Sequence, residues 1–525
     1  MLCSSLLFVL MVSPAAAQRN AFVLRSGSDT IAVEQFSRTA QGVDAEALVK
    51  VMGLRIGLSA VVGPDGLVRT LTNRAWMAAD PADAPPRQVA VLTFQGDSVI
   101  ADLTTGEQKT QQRLGTRAGA LPLVNPTFSL FELLLERFRR AAADSAEYPG
   151  FMVAGGQTLA ITAKRVGADS VILSMAGGDM RLRVDAEGRI LGGTIPVQRL
   201  TIERVRAQAD QLVAEKPDYS APPGAPYTAE DVVIQTPMGH TLAGTITIPK
   251  GASARARVPA VVTITGSGSQ DRDEAIPLFK GYRIFREIAD TLGRRGIAVL
   301  RMDDRGFGGS GGDAASSTSA DFAQDIQAGL AYLRTRPEID PAKLALVGHS
   351  EGGIIAPKVA LAEPQLAGIV LLAGTAYAGR PILTFQLSNA IKNDTSLTPT
   401  QRDSALAALP ATIDAGAAQS PWMRYFLDYD PSVTARKVTT PVLILNGETD
   451  LQVTVDHVPL LEKAFKAAGN RDVTAKILPN LNHLFVYDPD GFPGRYVQLP
   501  SFAVDKGALG LVADWLAKRL IKPAS

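Results

Sequence analysis

The sequence predicts an α/β protein, a mostly parallel sheet with helices on both faces and a helical lid, preceded by a smaller β-rich domain. Three observations carry this. From about residue 229 onward, runs that are apolar throughout alternate with helical stretches: Val258–Thr265, Ala298–Met302, Lys343–Val347, Ile369–Ala373, Pro441–Asn446 and Ala475–Leu478. Such runs suit strands buried on both faces. Before residue 215, TIAVEQF, QVAVLTFQGDSVIADL and DMRLRVDAEGRILGGTI alternate apolar and polar residues between Gly-rich turns, which is the period of antiparallel strands. Finally, Val347-Gly348-His349-Ser350-Glu351-Gly352-Gly353 sets a serine in a G-x-S-x-G frame between a strand and a helix.

Taken in order, residues 5–13 are apolar and end at Pro14-Ala15-Ala16-Ala17. The run is too short to span a bilayer, which takes about 20 residues, and the small residues suit a signal peptidase. Residues 1–17 are therefore expected to be a signal peptide, although the usual basic residue is missing, and the product to be exported, periplasmic or secreted, with no stable membrane span after processing. Residues 18–215 form the β-rich domain, with one helix predicted over Ser129–Ala143. A Pro- and Ala-rich linker, 216–228, follows. The catalytic candidates all lie in 229–525: a hairpin over Val232–Pro249, helices over Leu278–Arg295 and Ala320–Arg334, then the serine turn and a helix over Ile354–Ala362. An insertion from about Tyr377 to Val438 is too long for a plain loop and reads as a helical lid, its Ser420–Phe426 aromatics either lining a pocket or pinning the lid down.

A serine hydroxyl needs a base, a group to orient the base, and donors for the oxyanion formed on attack. The chain has 4 histidines. His240 reads as a hairpin tip, His349 adjoins the serine and points along its turn, and His457 sits on a helical stretch as a solvated or capping side chain. His483 alone follows a strand in the right order. Asp450, just past PVLILN, is the acid, in competition with Glu448, Asp456 and Asp472. The backbone N–H of Glu351 and one from Gly266-Ser267-Gly268-Ser269, either Ser267 or Gly268, are the oxyanion donors. Asp303-Asp304-Arg305 reads as a structural charge network bracing the nucleophile loop rather than as a catalytic pair.

Together GSGSQDRD, GIAVLRMDDRGFGGS, GHSEGG, GETDLQV and NLNHLF resemble the secreted and periplasmic carboxylesterases of the α/β-hydrolase superfamily, relatives of dienelactone hydrolases and prolyl oligopeptidases, over residues 228–525. The resemblance implies an α/β-hydrolase fold with Ser350 as nucleophile, Asp450 as orienting acid, His483 as base, and Ser267 with Glu351 as oxyanion donors. Ser269 departs from the proline common at that place. The implied substrate is a small or medium carboxylic ester, cleaved through an acyl-enzyme. A prolyl-oligopeptidase-like peptidase or an acyltransferase is the alternative, and a non-catalytic binding protein on the same scaffold the second. The front domain, roughly 200 residues, is too short for a seven-bladed propeller at about 45 residues a blade.

Composition excludes other classes. With 53 basic and 52 acidic residues there is no charge excess for nucleic acid. The single cysteine, Cys3, would leave with the signal peptide, which removes disulfides, thiolate chemistry and Cys-ligated metal. No cofactor or metal is expected.

Overall fold

The computed structural model describes residues 20–521 apart from 79, 82, 107, 176, 177, 209–211, 213–216, 277, 395 and 396. The expected signal peptide and Cys3 lie outside the described residues. Contacts divide the chain into two units, Met1–Lys216 and Pro217–Ser525.

The first unit is one continuous fifteen-stranded sheet among the described residues, from β1 (Asn20–Ser26) to β15 (Leu200–Arg206). The strands follow one another as hairpins, and β1 pairs antiparallel with both β2 (Asp29–Arg38) and β15, which ties the beginning of the meander to its end. Only β9 (Leu121–Leu123) and β10 (Ser145–Met152) pair in parallel, because the helix α1 (Phe131–Arg140) lies between them in the chain. Gly96, at φ +59° between strands in register at Gln95 and Ser98, supplies the left-handed residue a two-residue hairpin turn needs. The edge strand β8 comes close to the far side of the sheet, at β11, two strands in from the other edge. Thr158 Oγ1 in β11 (Thr158–Arg165) is 2.8 Å from Thr116 Oγ1, just past the edge strand β8 (Gln108–Gly115). A sheet so curled has an inside, and α1 fills it: Leu133, Leu134, Leu135 and Phe138 join strand residues from Phe22 to Ile202 in one apolar cluster.

The turn that leads into the buried α1 carries amides of its own that need acceptors. Glu34 of β2, 1 % exposed, accepts from Phe128 N–H at 2.5 Å and Ser129 N–H at 3.1 Å, and also from the Ser129 hydroxyl. Burial, only partly offset by those donors, pushes its carboxyl up to about 7. A folded-state value above the unfolded one means that the stabilising proton is held below pH 4.5 and lost as pH rises towards 7. Glu34→Gln should remove that dependence. Urea unfolding of the first unit, followed at pH 5 and pH 8, is expected to show the wild type losing about 3 kcal/mol more than the variant over that interval. Parallel pH profiles would contradict it.

The second unit is an eight-stranded sheet in the order β16-β17-β19-β18-β20-β21-β22-β23. Its strands are β16 (Tyr227–Gln235), β17 (Thr241–Pro249), β18 (Val258–Ile264), β19 (Ala298–Met302), β20 (Ile339–His349), β21 (Gly368–Leu372), β22 (Val442–Gly447) and β23 (Val473–Leu478). From β19 to β23 all neighbours are parallel, and β16 and β17 form the antiparallel hairpin expected over Val232–Pro249. Alternate residues of each central strand face opposite layers. Ile369 and Leu371 join the cluster covered by α3 (Ser319–Thr335), α4 (Gly352–Ala362) and α9 (His457–Ala467), while Val370 and Leu372 join that covered by α2 (Ile284–Gly293) and α10 (Lys506–Leu520). Helix α2 starts later than the predicted Leu278, after Gly281 at φ +85°.

Between β21 and β22 the insertion is helical: α5 (Gly379–Asn393), α6 (Pro399–Gln419), α7 (Pro421–Asp428) and α8 (Pro431–Ala435), with a small core of Leu409, Ile413, Ala417 and Leu427. Within the stretch read as a linker, Tyr219 OH donates to Asp271, and Arg286 donates to the Asp218 and Ser220 carbonyls. No described helix is long and apolar enough to cross a membrane.

Candidate active site

The chain runs from β18 to β19 on one side and then returns to β20 on the other, so the order reverses at β18. In open α/β sheets ligands bind beyond the carboxyl ends of the strands at such a switch point. Ile264 and Gly348 are in register there, which sets the Gly266–Ser269 loop beside the serine turn.

Ser350 has φ +53°, a left-handed conformation that costs a β-carbon-bearing residue energy and recurs at functional sites. The turn is too tight for bulk. A Cβ at Gly348 would lie 2.1 Å from Gly352 O, at Gly352 2.2 Å from Ile264 O, and at Gly353 2.6 Å from Gly374 Cα. Ser350 N–H is held by Leu372 O at 2.8 Å, and α4 starts two residues on, its N-terminal dipole turned towards the serine.

The loops after β22 and β23 bring Asp450 and His483 together. His483 Nδ1 lies 2.8 Å from Asp450 Oδ2, while Asp450 Oδ1 accepts from Gln452 N–H and Val453 N–H, both at 2.8 Å. Both residues are buried. A ring whose Nδ1–H is given to a carboxylate presents Nε2 as its basic nitrogen. Among the described hydrogen bonds Ser350 Oγ has none to that nitrogen; such bonds are commonly long until substrate is bound. The His483 loop is braced by Asn482, which accepts from Leu484 N–H and Val486 N–H and donates to Asp488.

The other histidines are accounted for elsewhere. His240 bonds Thr236 and Asp325. His457 is not solvated as expected: it is 3 % exposed, its Nδ1 accepts Ala376 N–H at 2.8 Å, and burial lowers its pKa. His349, directed away from the serine hydroxyl, spans from Glu274 Oε1 at 2.6 Å to the His483 carbonyl at 2.9 Å. Of the rival acids, Glu448 accepts Asn480 N–H, Asp456 faces Thr454, and Asp472 faces Arg519.

Asp303, Asp304 and Arg305 form charge networks, but two of them brace the Gly266–Ser269 loop rather than the nucleophile turn. Asp303 grips Arg272 at 2.9 and 2.8 Å, and Asp304 accepts from Thr265 Oγ1 at 2.5 Å and Gln270 N–H at 2.8 Å, clamping that loop at both ends. Burial holds Asp304 well above the usual carboxylate range. Arg305 pairs with Asp325. Ser267 and Gly268 are exposed, Gly268 at φ +91°. The Glu351 and Ser267 amides have no protein acceptor among the described hydrogen bonds.

The sequence does not announce the side-chain role of Glu351. Its carboxyl, raised by burial against two donors, accepts from Ser319 Oγ at 2.5 Å and from Trp422 Nε1 of α7 at 2.8 Å. Lys358 of α4 donates to Tyr425 OH. Trp422, stacked on Phe426 with ring centroids 5.3 Å apart, and Tyr425 therefore pin the insertion to the serine turn and its helix. Among the described residues no group of three or more His, Cys, Asp or Glu is placed to hold a metal.

Residues 279–490 match the family described as serine aminopeptidase, S33. The chain is 28 % identical over 321 residues to Esterase EstD of Thermotoga maritima, covering 59 % of this chain and 72 % of that one. It is 25 % identical over 287 residues to uncharacterized protein MT2364 of Mycobacterium tuberculosis, covering 53 % of this chain and 81 % of that one. Among solved structures, the Pyrococcus furiosus esterase Pf2001 aligns with a TM-score of 0.40 at 17 % identity, over 58 % of this chain and 97 % of that one. The second unit has the sheet topology of an α/β-hydrolase, the family match over residues 279–490 runs through the serine turn and the Asp450 and His483 loops, and the chain is an enzyme of the serine-hydrolase type.

Proposed function

We propose that the protein is a carboxylesterase acting on small to medium carboxylic esters through Ser350, His483 and Asp450. The observation that carries this reading is the strained Ser350 turn at the switch point, flanked by a buried Asp450–His483 pair on the next two strand-end loops. Ser350 Oγ bonds to the ester carbonyl carbon as its proton passes to His483 Nε2. The oxyanion rests on the Glu351 and Ser267 amides, Asp450 stabilises the imidazolium, and the alcohol leaves with the proton from His483. Water, deprotonated by the same nitrogen, then releases the acid and restores Ser350. The α5–α8 insertion acts as a lid, and Trp422 couples its position to Glu351, whose amide is an oxyanion donor.

The family description and the relative's name point to different bonds, peptide and ester, so the second reading is an aminopeptidase. Against a prolyl-oligopeptidase arrangement, the described residues of the first unit form a single curled sheet rather than separate blades. A panel of p-nitrophenyl acetate, butyrate and octanoate set against aminoacyl p-nitroanilides decides between them. Esters are expected to exceed anilides in kcat/KM by on the order of 10²-fold or more. Anilides turned over as fast as esters would favour the peptidase.

A further inference from the structure

The mechanism leaves unused the buried ionisable pair nearest the nucleophile. His349 is 2 % exposed and Glu274 3 % exposed. His349 is the last residue of β20, directly before Ser350, and Glu274 follows the Gly266–Ser269 loop at φ +52°, itself a left-handed, strained position. The ring is engaged on both sides. A carbonyl oxygen only accepts, so the 2.9 Å contact to His483 O requires a proton on His349 Nε2. Nδ1 lies 2.6 Å from Glu274 Oε1. Glu274 Oε2 has no hydrogen-bond partner, so the pairing with His349 is the hydrogen bond that compensates the burial of this carboxylate. Burial works to lower the His349 pKa, but the Glu274 charge and the His483 carbonyl outweigh it and hold the ring above the ordinary imidazole value.

Three loops thus meet at one imidazole. A Cβ at Gly266 would stand 3.0 Å from Glu274 Oε1 and 3.3 Å from Ser350 Cβ, so the pair touches the oxyanion loop as well as the serine turn. The His349 and His483 rings lie with centroids 4.9 Å apart, and Phe485 closes the far side at 6.3 Å. The His483 ring is oriented by Asp450 through Nδ1, but the backbone that carries it is tied to the nucleophile strand by His349.

We propose that His349, oriented by Glu274, is a positioning residue that sets the Ser350-to-His483 separation by holding the His483 carbonyl. This rests on the assignment of those two residues as nucleophile and base. It differs from a plain stabilising ion pair because what matters to turnover is the Nε2–H bond to the carbonyl and not the charge. A misplacement of about 1 Å between reacting groups can cost 10²-fold.

The two amide side chains separate the roles. In His349→Gln the side-chain amide reaches where Nε2 sits and can still donate to the His483 carbonyl; in His349→Asn it reaches only the Nδ1 position. In the full-length chain with p-nitrophenyl butyrate, His349→Asn is expected to lose on the order of 10²-fold in kcat with KM changed by about twofold or less, and His349→Gln to recover about tenfold over it. Equal kcat losses in the two variants, or an Asn variant keeping more than about half of wild-type kcat, would overturn the proposal. Should the Asn variant fail to fold, ¹⁵N-histidine NMR of the unaltered chain serves, since there are only 4 rings to resolve. His349 is expected to carry a proton on Nε2 throughout about pH 6 to 9, and a bare Nε2 would overturn it. Ser350→Ala run in parallel keeps the failures apart. If that variant still hydrolyses ester, the assignment of Ser350 as nucleophile is wrong, and the positioning role loses its basis with it. If it is inert while His349→Asn is undiminished, only the positioning role falls.

Discussion

Ser350→Ala is expected to lower ester kcat/KM by on the order of 10⁴-fold or more, by analogy with other Ser-His-acid sites, and to abolish labelling by a fluorophosphonate. The fold should survive, because alanine keeps the β-carbon that the turn already tolerates at φ +53° and removes only Oγ. Ser350 N–H stays bonded to Leu372 O, and the glycine contacts that make the turn possible are untouched. Circular dichroism and the unfolding midpoint are therefore expected to match wild type. Residual activity arises from water attacking a substrate still held at the oxyanion amides, which is why the loss is large but finite. A folded Ser350→Ala chain that keeps more than a few per cent of ester turnover, with contaminating hydrolases excluded, would remove Ser350 from its role.

That the turn and the two loop residues could be read from the sequence has a local cause. Gly348, Gly352 and Gly353 are required by contacts within a few residues of Ser350 or with the adjoining strands, and Asp450 and His483 each follow an apolar strand by a handful of positions. What could not be read depends on partners distant in the chain. Nothing near His349 in the sequence signals its role, because its partners, Glu274 and the His483 carbonyl, are 75 and 134 residues away. The sequence around Glu351 points to its amide alone, since Trp422 is 71 residues on. The sequence marks Asp303 and Asp304 as a charge network but not the loop they brace, because Arg272 and Gln270 reach them across the sheet from β18's side. His457 looked solvated at a helix start; the Ala376 amide and the Tyr377 ring, 4.7 Å away, bury it. In the first unit, period-two patterning gives strands but not the curl that brings β8 near β11. The approach of Thr116 to Thr158 joins residues that no alternation relates.

Asp450→Asn carries the other large expected effect, and it tests the acid assignment against the rivals that position alone had left open. The amide is nearly the same shape, and its oxygen can keep the bonds from Gln452 N–H and Val453 N–H that hold the loop. Its NH₂ would then occupy the place of Oδ2, 2.8 Å from His483 Nδ1. Two donors cannot face each other, so Nδ1 becomes the acceptor and the ring proton moves to Nε2. That tautomer has no lone pair for the serine proton, and no carboxylate remains to stabilise an imidazolium. The kcat for p-nitrophenyl butyrate is expected to fall by on the order of 10⁴-fold, with KM changed little, as in other triads whose acid is made an amide. Glu448→Gln and Asp456→Asn are expected to stay within about twofold of wild type, since Glu448 accepts Asn480 N–H and Asp456 faces Thr454 and Tyr377, none of them bonded to His483. A small loss in Asp450→Asn, or an equal loss in either rival, would mean that the buried Asp450–His483 pair is architecture and that the base is oriented by another acid.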